Sequence, residues 1–347
     1  MDNEVIFSSV PGSGGSVGLI TLNRPKALNA LSFTMATAIS QELKTWAYDA
    51  SIKAVVILGQ CDKAFCAGGD LKAVYSLGPG NTQIAEKFFA LEYDLNHLIK
   101  DYPKPYISLV HGITMGGGIG LSIHGSQRVA SPDLLWAMPE TGIGFFPDVG
   151  ASFFLSRCAG NIGLYLGLTG SRIGIIDALY CGLIDYCIPQ EQFQHVVAAI
   201  AAADFNNNDD KIIAAILAKF SVTPRGEGII QPYLAEINQL FSAATITDLV
   251  DGLKTAAATN SWAATTAKIL STKSPTSLCM TFAELTKAKT VDFSACLHME
   301  YVLSQQCLLG ADFYEGIRSV VIDKDNAPMW QPATLAEAAS VRLDLGL

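Results

Sequence analysis

The chain has little of what ties a protein to a metal, a membrane or a nucleic acid. No two of its eight cysteines are spaced Cys-x-x-Cys, and Cys61, Cys66, Cys158, Cys181, Cys187, Cys279, Cys296 and Cys307 mostly lie in apolar runs. They read as small buried hydrophobes in a reducing compartment, not as a disulfide framework. The five histidines are scattered, without His-x-x-x-His, so no metal site is expected. No apolar run reaches the roughly 18–20 residues that a membrane span needs. The opening MDNEVIF lacks a basic n-region, an apolar h-region and arginine, so neither a signal peptide nor a transit peptide is expected. The expected location is therefore cytoplasmic. A net charge of −9 disfavours nucleic acid and anionic membranes as partners, while leaving room for a local basic pocket.

What is present is core. Half of the 347 residues are apolar, enough for one large domain or one domain with an appendage. Val17–Leu22, Ala54–Leu58, Tyr106–Val110 and Gln127–Ala130 read as strands. Ser32 caps a helix reaching about Tyr48, and a second helix spans roughly Thr82–Lys100. Beyond about Asp177 helices dominate, and FNNNDD at Phe205–Asp210 is the best linker candidate. The expected fold class is α/β with a helical C-terminal part.

Two glycine-rich turns recur in the order strand, loop, helix. One is Ala67-Gly68-Gly69-Asp70; the other is Gly116-Gly117-Gly118. Neither continues to Gly-Lys-Ser/Thr, and neither fits Gly-x-Gly-x-x-Gly. Such turns permit close packing. They also present unobstructed N–H groups at a helix start, and two that converge make an oxyanion hole.

The stretch MPETGIGFFPDVG, Met138–Gly150, raises a different question. Glu140 and Asp148 each follow a proline, within surroundings apolar enough to be at least half buried. Buried carboxylates are costly unless paired or hydrogen-bonded. Two nearby acids divide labour well, one ionised as base or nucleophile, the other orienting a hydroxyl or water. Glycoside hydrolysis also uses paired acids, but it has no need of N–H groups aimed at an oxyanion. The glycine loops favour carbonyl chemistry.

In order and spacing, NRPKALNAL, FCAGGDL, HGITMGGGIGLSIHG and MPETGIGFFPDVG resemble successive motifs of the enoyl-CoA hydratase/isomerase (crotonase) superfamily. The resemblance implies a crotonase-like ββα spiral core over residues 1–204 and a helical extension over 205–347 covering the site. It implies an acyl-CoA substrate whose thioester oxygen is held by the N–H groups of Gly69 and Gly117. Hydratases of this family carry two glutamates. Glu140 matches the second, but Gly120 stands where the first belongs, and Asp148 replaces a usual glycine. That exchange resembles the 3-hydroxyisobutyryl-CoA hydrolase subgroup. SPTSLCMTFAEL and DFYEGIRSVVIDKDNAPMWQPA are similar to its C-terminal extension.

The implied activity is hydrolysis of a short, branched, hydroxylated acyl-CoA, with 3-hydroxyisobutyryl-CoA of valine degradation as best candidate. Enoyl-CoA hydration or isomerisation is the alternative. Glu140 and Asp148 are the implied catalytic pair. The implied substrate-binding residues are Glu92, Gly117, Glu140 and Asp148. Lys26, Ala67, Asp70 and Lys72 flank the implied CoA-binding loops, although each lysine taken alone reads as exposed. CoA arrives as part of the substrate, so no separate cofactor and no metal are expected. Crotonase-like folds commonly form trimers, and the extension could replace those contacts within one chain.

Overall fold

A computed structural model describes residues 3–79, 81–205 and 209–347. The chain forms two compact units whose segments alternate along the sequence. The first comprises Met1–Gly69, Asp94–Trp136 and Ile173–Gly228, the second Asp70–Tyr93, Ala137–Arg172 and Ile229–Leu347.

The first unit is built on a six-stranded sheet, in the order Val5–Gly12, Gly15–Leu22, Ile52–Gly59, Tyr106–Val110, Gln127–Ala130 and Tyr186–Cys187. The first two strands form an antiparallel hairpin, with Val10 opposite Val17. The other pairings are parallel. Parallel strands are covered on both faces, which is why KAVVIL and YISLV are almost continuously apolar. Val56, Ile107, Leu109 and Val129 pack with Val196, Ile200, Ile213 and Leu217 of two helices, Phe193–Ala201 and Asp209–Phe220. A smaller sheet pairs the three-residue strands Ala64–Cys66, Ile113–Met115 and Leu135–Ala137.

The helix Phe33–Tyr48 begins where the sequence places it. The Ser32 hydroxyl accepts a hydrogen bond from the Met35 N–H at 3.1 Å, satisfying one of the orphan donors of the first turn. Of the FNNNDD linker candidate, residues 206–208 lie outside the described residues, and the next helix starts at Asp209.

The second unit is helical. Its two most buried long helices are Pro275–Ala288, capped by Ser274, and Phe293–Leu309, capped by Asp292. The helix Ala311–Ile317 approaches the turn Glu140–Ile143 backbone to backbone. A Cβ at Gly316 would lie 2.2 Å from the Ile143 carbonyl carbon, so only glycine allows that approach. Phe313 of the same helix packs against Phe145 and Phe89, with ring centroids 5.0 and 6.3 Å away. The FYEGIR segment thus buttresses the loop that carries Glu140 and Asp148.

Candidate active site

Within the first unit, the two glycine loops lie side by side. A Cβ at Gly118 would fall 2.4 Å from the Cys66 carbonyl oxygen, and one at Gly68 would sit 3.6 Å from that of Met115. The NRPKALN loop pins the first of them. Asn29 is fully buried with φ 56°; its Oδ1 accepts from the Arg24 N–H at 2.8 Å, and its Nδ2 donates to the Phe65 carbonyl at 2.9 Å. The Ala67 N–H donates to the Leu28 carbonyl at 3.0 Å, and Leu31 N–H to that of Gly68 at 2.8 Å. Gly117 opens the helix Gly117–Ile123, with Gly116 at φ 46° before it. Among the described residues, neither Gly69 N–H nor Gly117 N–H is used in a backbone hydrogen bond. Both groups therefore have donor capacity left over. Lys26 and Lys72 are exposed. Asp70 caps the helix Leu71–Leu77, accepting from the Ala73 N–H at 3.2 Å.

Within the second unit, the three acids expected from the sequence come together. Glu92, Glu140 and Asp148 are 3%, 7% and 5% exposed, so Glu140 and Asp148 are buried as expected, and Glu92 is buried as well. Glu140 starts a single 3₁₀ turn, Glu140–Ile143, after Pro139. Its carbonyl accepts from the Phe145 N–H at 3.1 Å. Asp148 precedes a turn with left-handed Val149 and Gly150, at φ 55° and 83°. Glu92 points inward from the helix Thr82–Lys100.

Their electrostatics are those of acids held out of water. Burial, then the charge of Asp148, raises Glu92 and Glu140 well above the usual carboxylate range. Burial pushes Asp148 up to about 7, opposed by a hydrogen bond from the Tyr93 hydroxyl at 2.8 Å. Lys273 is the cation facing Glu140, and burial lowers its own affinity for a proton. Glu140 Oε2 and Glu92 Oε1 are buried without a hydrogen-bond partner among the described residues. Buried polar atoms are seldom left so. The site has acceptors ready for the hydroxyls of a substrate or for water.

Three participants were not anticipated. Tyr93 adjoins Glu92 in sequence, and its phenol binds Asp148. Glu284 and Glu300, on the two buried helices, are fully buried and electrostatically coupled to Asp148. Their signal was a lone acid in a helix otherwise apolar on several sides, as in CLHMEYVL. Among the described residues, no group of three or more His, Cys, Asp and Glu is arranged to hold a metal ion. No helix there is long and apolar enough to cross a membrane.

Adjacent glycine loops in the α/β unit and clustered acids in the helical one are the features that the crotonase resemblance implies. The chain belongs to the enoyl-CoA hydratase/isomerase family, whose match covers residues 17–344. It is 40% identical over 346 residues to the mitochondrial 3-hydroxyisobutyryl-CoA hydrolase of Danio rerio, covering 99% of this chain and 88% of that protein. To the Homo sapiens protein of the same name it is 39% identical over 334 residues, covering 95% and 86%. A solved carnitinyl-CoA dehydratase from Mycobacterium thermoresistibile superposes with a TM-score of 0.87 at 35% identity, covering 99% of this chain and 98% of that one. The α/β crotonase-like fold is as expected from the sequence. The cytoplasmic location is not: the named relatives are mitochondrial, which overturns it. The absence of a recognisable presequence pattern in MDNEVIF was too weak a ground for that expectation.

Proposed function

We propose that the chain hydrolyses the thioester of a short 3-hydroxyacyl-CoA, with 3-hydroxyisobutyryl-CoA as the preferred substrate and the mitochondrion as its compartment. The observation that carries this reading is the buried trio Glu92, Glu140 and Asp148, combined with Gly120 where a hydratase would need its other acid. In this scheme the Gly69 and Gly117 N–H groups bind the thioester oxygen and stabilise the tetrahedral oxyanion. One such donor is typically worth roughly 3–4 kcal/mol. Glu140, raised by burial, is a strong base once ionised. It takes a proton from water as the water oxygen bonds to the carbonyl carbon, or it adds to that carbon itself and water opens the resulting anhydride. In the first route the C–S bond breaks as Glu140 hands the water proton to the departing sulfur; in the second the C–S bond breaks to release thiolate, and the water that opens the anhydride supplies its proton. Asp148 orients the water or Glu140, and Glu92 accepts the substrate 3-hydroxyl. CoA is part of the substrate, so the scheme needs no separate cofactor or metal.

Hydration of an enoyl-CoA is the second reading, favoured by the dehydratase among the solved relatives. Free-thiol release from 3-hydroxyisobutyryl-CoA, with 3-hydroxypropionyl-CoA, acetyl-CoA and crotonyl-CoA beside it, separates the two. Fast release confined to the 3-hydroxyacyl thioesters is expected. Loss of enoyl absorbance from crotonyl-CoA without thiol release would replace hydrolase by hydratase.

A further inference from the structure

The scheme above leaves Glu300 unused, although it is fully buried. It stands on the helix Phe293–Leu309, within the C-terminal extension. Its Oε2 accepts from the Gly150 N–H at 2.7 Å. Its Oε1 accepts from the Ser152 N–H at 3.0 Å and from the Ser152 hydroxyl at 2.5 Å. The donors lie on Gly150 of the turn directly after Asp148 and on Ser152 in the first turn of the helix Ala151–Leu155 that follows it. That turn is strained, because Val149 is β-branched and sits at φ 55°. Strained backbone persists only where its surroundings over-determine it. Here the Asp148 carbonyl accepts from the Ala151 N–H at 2.9 Å, and Glu300 gathers the next donors.

We propose that Glu300 is a positioning residue for thioester hydrolysis: by binding the Gly150 and Ser152 N–H groups it fixes the turn that aims the Asp148 carboxylate. The inference rests on the thioesterase reading. It gives one side chain of the extension a defined task in the reaction, since the bond to Gly150 spans 150 residues.

The proposal has an electrostatic consequence. The titratable groups facing Glu300 are Asp148 on its loop, Tyr93 on the helix Thr82–Lys100, Glu284 on Pro275–Ala288 and Cys296 on its own helix. Asp148 in turn faces Glu92, Glu140 and Cys307. Burial raises Glu300; its three donors oppose this and suit the ionised form, which accepts them best. The charge of Asp148, itself pushed up to about 7, adds to the rise, and Glu300 reaches about 8; Asp148 therefore ionises first, and the acid limb is set by Asp148 rather than by the charge of Glu300.

The test compares full-length wild type, Glu300→Gln and Ser152→Ala for thiol release from 3-hydroxyisobutyryl-CoA. It reads kcat, KM and the acid limb of the pH profile, with thermal melting to verify folding. Glu300→Gln is expected to keep KM within about threefold while kcat falls roughly 100-fold, the scale of a small misplacement at a reacting centre. Its acid limb, set by Asp148, should stay in place, and a fall in kcat at constant KM is the readout that a loss of packing alone would not produce. Ser152→Ala keeps the charge and loses one donor, so kcat should fall only a few-fold with the limb in place. A folded Glu300→Gln enzyme with wild-type kcat, or with a loss confined to KM, overturns the proposal. Should that variant not fold, Ser152→Ala decides: unchanged kcat overturns, reduced kcat at constant KM supports. A wild type that releases no thiol overturns the thioesterase reading and this inference with it. An active wild type beside an unaltered variant overturns this inference alone.

Discussion

The two units bury very different things. Among the described residues the first buries one carboxylate, Asp177, and its most constrained positions are glycines pressed against backbone. The second buries six: Glu92, Glu140, Asp148, Glu284, Glu300 and Asp312. Some of these are well satisfied, as Asp312 is by the Ser274 hydroxyl at 2.5 Å and the Gln331 N–H at 2.7 Å. Others are not: neither oxygen of Glu284 has a hydrogen-bond partner among the described residues. Burial of an unpartnered acid works against folding, and replacing it by a neutral group of similar shape often stabilises. The second unit therefore holds side chains at a cost to stability, as expected where chemistry needs raised carboxylates. The glycine loops of the first unit expose main-chain donors, for which shape matters more than charge.

This contrast can be broken by variants that separate activity from stability. The largest effect is expected for Glu140→Gln. Removing a general base or nucleophile should lower kcat by about 1,000-fold or more, with thermal melting unchanged or raised. Clear destabilisation would make Glu140 a structural acid. Gly118→Ala should do the reverse in the first unit. Its new Cβ meets the Cys66 carbonyl oxygen at 2.4 Å, so unfolding free energy should fall by about 1–3 kcal/mol, alongside activity. A variant of wild-type stability would show that the two loops can move apart. The smallest effect is expected for Tyr93→Phe. Its hydroxyl stabilises ionised Asp148, so its removal should raise Asp148 further above about 7. The acid limb of kcat should then move to higher pH, with a loss of roughly tenfold at neutral pH. Glu300→Gln, in contrast, should leave the limb in place. Equal profiles for wild type and Tyr93→Phe would detach Asp148 from the acid limb.

Much of this was legible in the sequence, for identifiable reasons. Long parallel strands announce themselves as apolar runs, and Ser32 marks a helix start through cap chemistry. The prolines before Glu140 and Asp148 marked a rigid, buried acid pair. The three-residue strands Ala64–Cys66, Ile113–Met115 and Leu135–Ala137 were missed, because three residues are too few for any periodicity to register. The helical region beyond Asp177 is broken at Ile229–Phe241 into a 3₁₀ turn at Gln231–Tyr233 and the helix Leu234–Leu240, since Pro232 interrupts the hydrogen-bond ladder. Glu284 and Glu300 were missed for another reason. An isolated glutamate in a helix ordinarily faces water, and only the packing of helices distant in sequence shows that these two do not.

The bond between Gly150 and Glu300 also sets a timetable for biosynthesis. A ribosome adding roughly 5–20 residues per second needs about 8–30 s to travel from Gly150 to Glu300. Throughout that interval the turn after Asp148 exists without the side chain that closes it. If Glu300 positions Asp148, the nascent enzyme stays silent toward thioesters until its last helices emerge, however early the strands of the first unit have formed.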